Sequence, residues 1–296
     1  ELARTHPHFA AKRDGEFLGY VCLAGEEAQT WAYETLSGLI ERYGCDWIKL
    51  DFNLDPGLGC NCADHGHGPD DGLYRHYAGL YRVLDRIRAA YPEVVLENCS
   101  SGGQRIDCEM MRHMHFSFLS DPDYTEHQLQ LFWAASLHLP PQRCLHWVWS
   151  RTCGTEKTRP FPSLDLGDPA LSDAELKFHM RAAMLHAMGL SHRLPSYRRE
   201  TLDKIREQIA FYKEHVRDAI RDAALYRLTP QAVRGGAGSG WNAYQFAKPD
   251  SGGKGCLFVF RLEHGEAEMR IRLEGLEEDR NYIVHDWDTG FSDRLS

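Results

Sequence analysis

The sequence predicts an α/β protein: a (β/α)8 TIM barrel with about six of its eight βα units present, followed by a C-terminal antiparallel β domain. Short apolar strands alternate with longer amphipathic helices as far as residue 224, the strands read as buried on both faces, and the texture changes from Leu225 onward. Runs of βα units with doubly buried strands imply a parallel sheet. A doubly wound open sheet is the rival, but no Gly-rich phosphate loop follows an early strand.

Residues 17–23 read as a strand and 26–43 as a helix. Residues 45–51 (CDWIKLD) form the second expected strand and 72–91 the second helix. In that helix Leu73, Tyr77, Leu80, Tyr81, Leu84 and Ile87 recur at spacings that place them on one buried face. Strand 94–98 follows Tyr91-Pro92, which closes the helix. Further strands are expected at 116–120, 143–149 and 189–194, with helices at 125–139, 173–188 and 198–223. A closed barrel needs eight units, and the chain begins abruptly without Met, so two units are expected upstream. Residues 1–224 are accordingly read as an N-terminally truncated catalytic barrel.

Residues 225–296 read as a C-terminal β-sandwich domain, cut short at its far end. A Gly-Gly-Ala-Gly-Ser-Gly break at 235–240 is followed by alternating segments at 243–246, 256–262, 267–273 and 281–286.

Composition narrows the function. A formal net charge of −9 argues against nucleic acid or an anionic membrane as partner, because both require clustered Lys and Arg. No apolar run approaches the roughly 20 residues needed to span a bilayer. The nine cysteines are odd in number and scattered, which suits reduced thiols in a cytoplasmic protein.

In a barrel, catalytic groups sit at the C-terminal ends of strands, where the βα loops form the mouth. That rule selects four places. In Ile48-Lys49-Leu50-Asp51-Phe52-Asn53, Lys49 and Asp51 are two apart and point to one side of a strand. Burying a cation and an anion costs desolvation unless they serve each other or a ligand. A structural ion pair is the plain reading, and a site is the sharper one. In the segment from Glu97 to Asp107, Cys99-Ser100-Ser101-Gly102-Gly103 offers small side chains and exposed N–H groups suited to a polar ligand.

Ser120-Asp121-Pro122-Asp123 ends a later strand, and either aspartate could instead cap the following helix. Two carboxylates facing one cavity are what glycoside hydrolysis needs. The fourth place is Cys60-Asn61-Cys62-Ala63-Asp64-His65-Gly66-His67, which has the donor types of a metal cluster. It lacks zinc-finger spacing, however, and a mouth-lining loop is preferred over a metal hydrolase. Trp47, Trp133, Trp147, Trp149 and Tyr124 are aromatics on or near strands and mouth loops; most barrel aromatics are core.

Lys49-Leu50-Asp51-Phe52-Asn53 resembles the Lys-Trp-Asp-Met-Asn nucleophile motif of family 36 glycoside hydrolases, the bacterial α-galactosidases. The Glu97–Asp107 segment is similar to that family's Glu-Ser-Cys-Ser-Gly-Gly-Gly-Arg-Phe-Asp loop, and Ser120-Asp121-Pro122-Asp123 to its Ser-Asp-Asp-Thr-Asp segment. Residues 209–213 resemble its last barrel helix. The resemblance implies a retaining α-galactosidase, with Asp51 as nucleophile and Asp121 as acid/base. It implies sugar-binding roles for Lys49, Asn53, Cys99, Ser100, Gly102 and Asp123, and no metal or organic cofactor. The implied partner is an α-galactoside oligosaccharide, and a homo-oligomer is compatible with it. Related readings are an α-N-acetylgalactosaminidase, a raffinose-type transglycosylase, or a carbohydrate-binding homologue without catalysis. Departures from the motif are Leu50 for Trp and Phe52 for Met, and 18–24 lacks the family's usual Arg and Asp.

Overall fold

The computed structural model describes residues 2–121, 125–148, 165–231, 240–248, 254–262 and 264–295. They fall into two compact units, Glu1–Phe118 and Leu119–Ser296. The fold is α/β, with parallel strands carrying the candidate site and antiparallel strands elsewhere.

The first unit opens with a short helix α1 (Leu2–Thr5) and a hairpin of β1 (Ala10–Arg13) and β2 (Glu16–Val21). The expected strand at 17–23 is thus present, but it pairs antiparallel with β1 rather than opening the parallel sheet. Asp14-Gly15 explains the difference. Both residues take positive φ, 54° and 87°, the backbone of a tight hairpin turn.

Helix α2 (Glu26–Tyr43) ends at Gly44, whose left-handed φ of 61° lets its N–H reach the Ile40 carbonyl. Strand β3 (Trp47–Asp51), helix α3 (Gly72–Ala90), strand β4 (Val95–Cys99), helix α4 (Met110–His113) and strand β5 (Phe116–Phe118) follow. Strands β3, β4 and β5 pair in parallel in that order. Ile40, Leu84, Ile87, Val94, Leu96, Met110 and Met114 form the core beneath them, so the apolar stripe of α3 packs as its periodicity requires.

In the second unit, helix α5 (Thr125–Ala135), strand β6 (Cys144–Val148), helix α6 (Asp173–Ala183) and strand β7 (Ala187–Leu190) continue the alternation. Strands β6 and β7 are parallel. Helix α6 begins with a capping box, in which Ser172 Oγ accepts from the Glu175 N–H and Glu175 accepts from the Ser172 N–H. The helix expected across 198–223 is interrupted. It runs as α7 (Arg199–Phe211), a π-helical turn at Tyr212–Val216, and α8 (Arg217–Asp222). Tyr212 donates its hydroxyl to the His186 carbonyl there, a tie that accompanies the wider turn.

Strands β8 (Ala224–Arg227), β9 (Trp241–Lys248) and β10 (Lys254–Arg261) form an antiparallel sheet with β9 central. It packs on α5: Tyr244 stacks edge-on against Phe132 at 5.2 Å and donates its hydroxyl to the Leu129 carbonyl. The remaining hairpin is β11 (Tyr282–His285) with β12 (Ser292–Leu295). The strand expected at 267–273 does not form. Its Ala, Met, Ile and Leu alternate with Glu and Arg, but most of the segment is exposed and pairs with no strand among the described residues. The Gly-rich break at 235–240 lies outside the described residues except for Gly240. No helix among the described residues is long and apolar enough to cross a membrane.

Candidate active site

Strand register brings the polar residues of β3 and β4 together. Lys49 stands opposite Glu97, and Asp51 opposite Cys99. Lys49 Nζ lies 3.2 Å from Glu97 Oε1, with the glutamate side chain 5% exposed and the lysine 26%. The ammonium also sits 3.8 Å from the centre of the Phe118 ring. Glu97 takes a second bond through Oε2 from Trp47 Nε1 at 2.8 Å. A buried carboxylate needs such partners, because an unpaired one costs several kcal/mol. The two charges that alternation places on one side of β3 are therefore not each other's sole answer: Lys49 pairs with the next strand.

Asp51, last residue of β3, is exposed. Its surroundings are held firmly. The Phe52 N–H donates to the Cys99 carbonyl at 3.0 Å, and Arg105 Nη2 donates to the Leu50 and Cys99 carbonyls at 3.3 and 3.1 Å. Arg105 is buried, its guanidinium 4.9 Å from the Phe52 ring centre, and burial lowers its pKa. The Cys99 thiol is pushed up to about 11, chiefly by burial; Lys49 opposes the rise, and a hydrogen bond with Asp51 adds to it. Cys99 is accordingly a protonated thiol at neutral pH, able to donate to the carboxylate.

The loop after β4 is shaped around the same place. Ser101 and Gly102 take positive φ of 43° and 79°. Asn53 Oδ1 accepts from the Ser101 N–H at 2.7 Å and faces its hydroxyl at 3.3 Å, while Ser100 Oγ donates to the Phe52 carbonyl at 2.6 Å. The two loops that follow β3 and β4 are thus stitched together by side chains. Asn98 fixes the base of the second loop by donating to the Arg105 carbonyl and to Ser117 Oγ.

In the second unit, the Leu119 N–H donates to the Leu145 carbonyl and His146 Nε2 meets the Ser120 carbonyl at 2.9 Å. Asp121 follows directly and is exposed. Strand β5 ends at Phe118 rather than at residue 120, so Asp121 sits beyond the strand. Asp123, Tyr124 and Trp149 lie outside the described residues.

Lys49, Asp51, Asn53, Cys99, Ser100 and Gly102, all expected from sequence, occupy adjoining strand ends and loops of one unit. Sequence reasoning missed Glu97 and Arg105 as individual residues. Glu97 was legible in principle, since it precedes Cys99 by the same two positions as Lys49 precedes Asp51. Arg105 carried no such signal, because its partners are backbone carbonyls.

An exposed carboxylate at the C-terminal end of a parallel strand, beside a buried polar scaffold, stands where parallel α/β folds carry their functional sites. The chain belongs to the melibiase family, whose sequence profile matches residues 4–221. Among similar proteins are α-galactosidase AgaA of Geobacillus stearothermophilus, 23% identical over 291 residues, and α-galactosidase C of Emericella nidulans, 26% identical over 296. Each alignment covers 96% of this chain but only 37% and 35% of the relative, so the chain spans little more than a third of their length. The crystal structure of the Lactobacillus brevis α-galactosidase shares the fold with a TM-score of 0.79 at 21% identity, covering 99% of this chain and 39% of that one.

Proposed function

We propose that the protein acts as a retaining α-galactosidase, with Asp51 as nucleophile and Asp121 as general acid/base. The observation that carries this is the exposed Asp51 carboxylate at the end of β3, backed by the Lys49–Glu97 pair and by Arg105. In the first step Asp51 attacks the anomeric carbon while Asp121 gives its proton to the departing glycosidic oxygen. A covalent galactosyl-enzyme results. Asp121, now a carboxylate, takes a proton from water, which displaces Asp51 and restores the original anomeric configuration.

In this reading Lys49 binds sugar hydroxyls and Asn53 supports the nucleophile's loop, while Cys99, Ser100 and Gly102 line the pocket. Asp123 contributes a contact. Related crystal structures support the substrate class: substituted forms of AgaA from Geobacillus stearothermophilus bind raffinose and stachyose. The reading extends to a (β/α)8 barrel over 1–224 and a β domain over 225–296.

The test uses the full-length protein on an aryl α-galactoside, with the aryl α-N-acetylgalactosaminide as comparison. Asp51→Ala and Asp121→Ala are each expected to lower kcat by about three orders of magnitude or more. Azide should restore turnover of the Asp51 variant as a β-galactosyl azide, and Asp123→Asn should be much milder than Asp121→Asn. NMR detection of an inverted first product, or full turnover by Asp51→Ala, would refute the assignment.

A further inference from the structure

Outside the catalytic residues, the hairpin and the loop after β3 converge on four buried soft donors. Cys22, directly after β2, meets Cys60, His65 and His67, and their donor atoms all lie within 4.8 Å of one another. Cys22 Sγ is 3.5 Å from His67 Nε2, and Cys60 Sγ is 3.3 Å from His65 Nδ1. A tetrahedral zinc with Zn–S of about 2.3 Å and Zn–N of about 2.0–2.1 Å requires sulfur–nitrogen edges of about 3.6 Å. We propose that Cys22, Cys60, His65 and His67 form a closed structural site for a zinc ion.

Neighbouring backbone groups orient the donors. Cys60 Sγ accepts from the Lys12 N–H at 3.4 Å and from the Cys62 N–H at 3.5 Å, bonds that favour a negatively charged sulfur. His67 Nδ1 faces the Gly68 carbonyl at 2.7 Å, which fixes the proton there and turns the Nε2 lone pair inward. His65 turns Nδ1 to the cluster and its Nε2 toward Asp64 Oδ1 at 3.9 Å. Gly66, at φ 76°, makes the turn that aims both rings at one point. Gly72 is held close: a Cβ there would lie 1.9 Å from the Cys60 carbonyl oxygen and 2.8 Å from the His67 ring.

Charge balances. Binding releases one proton from each cysteine, and two thiolates neutralise the dication, so the buried cluster carries no net charge. Four protein ligands leave no open position for water, which makes the ion a tether between the β1–β2 hairpin and the loop after β3 rather than a catalyst. Cys62 stays outside the four: its thiol turns to the Lys12 carbonyl at 3.7 Å, and it groups with Asp64 and His65 instead.

The experiment is metal analysis of the full-length protein, followed by exchange with cobalt(II). The expected result is about one zinc per chain, and in the cobalt form the visible bands of a tetrahedral ion with thiolate charge transfer. Cys60→Ser and His67→Ala should lose the metal, whereas Cys62→Ser should keep it. Because the ligand variants could fail to fold, the cobalt spectrum of the unaltered protein decides. A protein that takes up no zinc or cobalt, a six-coordinate cobalt spectrum without thiolate bands, or a Cys22–Cys60 disulfide found by mass spectrometry would overturn the site. None of these readouts depends on glycosidase activity.

Discussion

Strands β3 and β4 set a lysine and a glutamate side by side as an ion pair, whereas the β6–β7 pair buries histidines that desolvation drives toward the neutral form. Lys49 and Glu97 meet at 3.2 Å, with Trp47 and Phe118 completing their contacts. His146 on β6 and His186 just before β7 lie 5.5 Å apart and are both fully buried. Burial pushes His186 down to about 4 and His146 well below its ordinary range, the latter lowered further by His186. Each region has polar groups among apolar neighbours. One answers the desolvation cost by pairing opposite charges, the other by giving up the proton. The first region adjoins the exposed Asp51 at the end of β3; the second is kept neutral by burial.

The sharpest way to break that contrast is to remove one charge from the paired region. Glu97→Ala leaves Lys49 without its carboxylate, and about 3 kcal/mol of stability should be lost in urea titration. Glu97→Gln, which keeps the Trp47 bond, should lose less. A loss confined to Glu97→Ala, with Glu97→Gln as stable as the unaltered protein, would mean that packing rather than charge is at stake.

The neutral region is tested by pH. The unfolded histidine pKa is about 6.5, so below that value the unfolded chain takes up a proton that folded His186 refuses until about pH 4. Stability therefore falls as pH drops from 6.5 to 4 and levels off below, with up to about 3 kcal/mol at stake for this one group. Replacing it, as in His186→Gln, should flatten the slope of unfolding free energy against pH by about one proton in that window. An unchanged slope would remove His186 from the acid response. The smallest effect is expected at Ser101, whose positive φ of 43° strains a residue with a Cβ. Ser101→Gly should stabilise by about 0.5 kcal/mol, provided the N–H bond to Asn53 survives.

What the sequence could disclose followed its periodicity. Helix α2 and nearly all of α3 fall where the spacing of apolar residues puts them. Strand β3 and its terminal Asp51 were equally legible, because alternation and strand-end position are local properties. Partnership was not. The segment at 17–23 looks like any apolar strand, and only the Asp14-Gly15 turn, with its paired positive φ, betrays an antiparallel neighbour. The 267–273 segment shows the converse, an alternating pattern that finds no partner strand among the described residues. The Cys60–His67 run carried donors enough for a cluster, but nothing local pointed to Cys22, which lies 60 − 22 = 38 positions earlier and joins them only through the fold.

The seat of the C-terminal sheet on α5 bears on how the protein can be trimmed. Tyr244 fills the surface above Phe132 and closes the Leu129 carbonyl, while the Trp133 indole donates to the Thr229 carbonyl. A version ending at residue 224 would uncover an aromatic helix face and remove the partners of the Leu129 carbonyl and the Trp133 indole. Such a shortened chain would associate through that face, and any attempt to isolate the parallel-stranded part should carry the β8–β10 sheet with it.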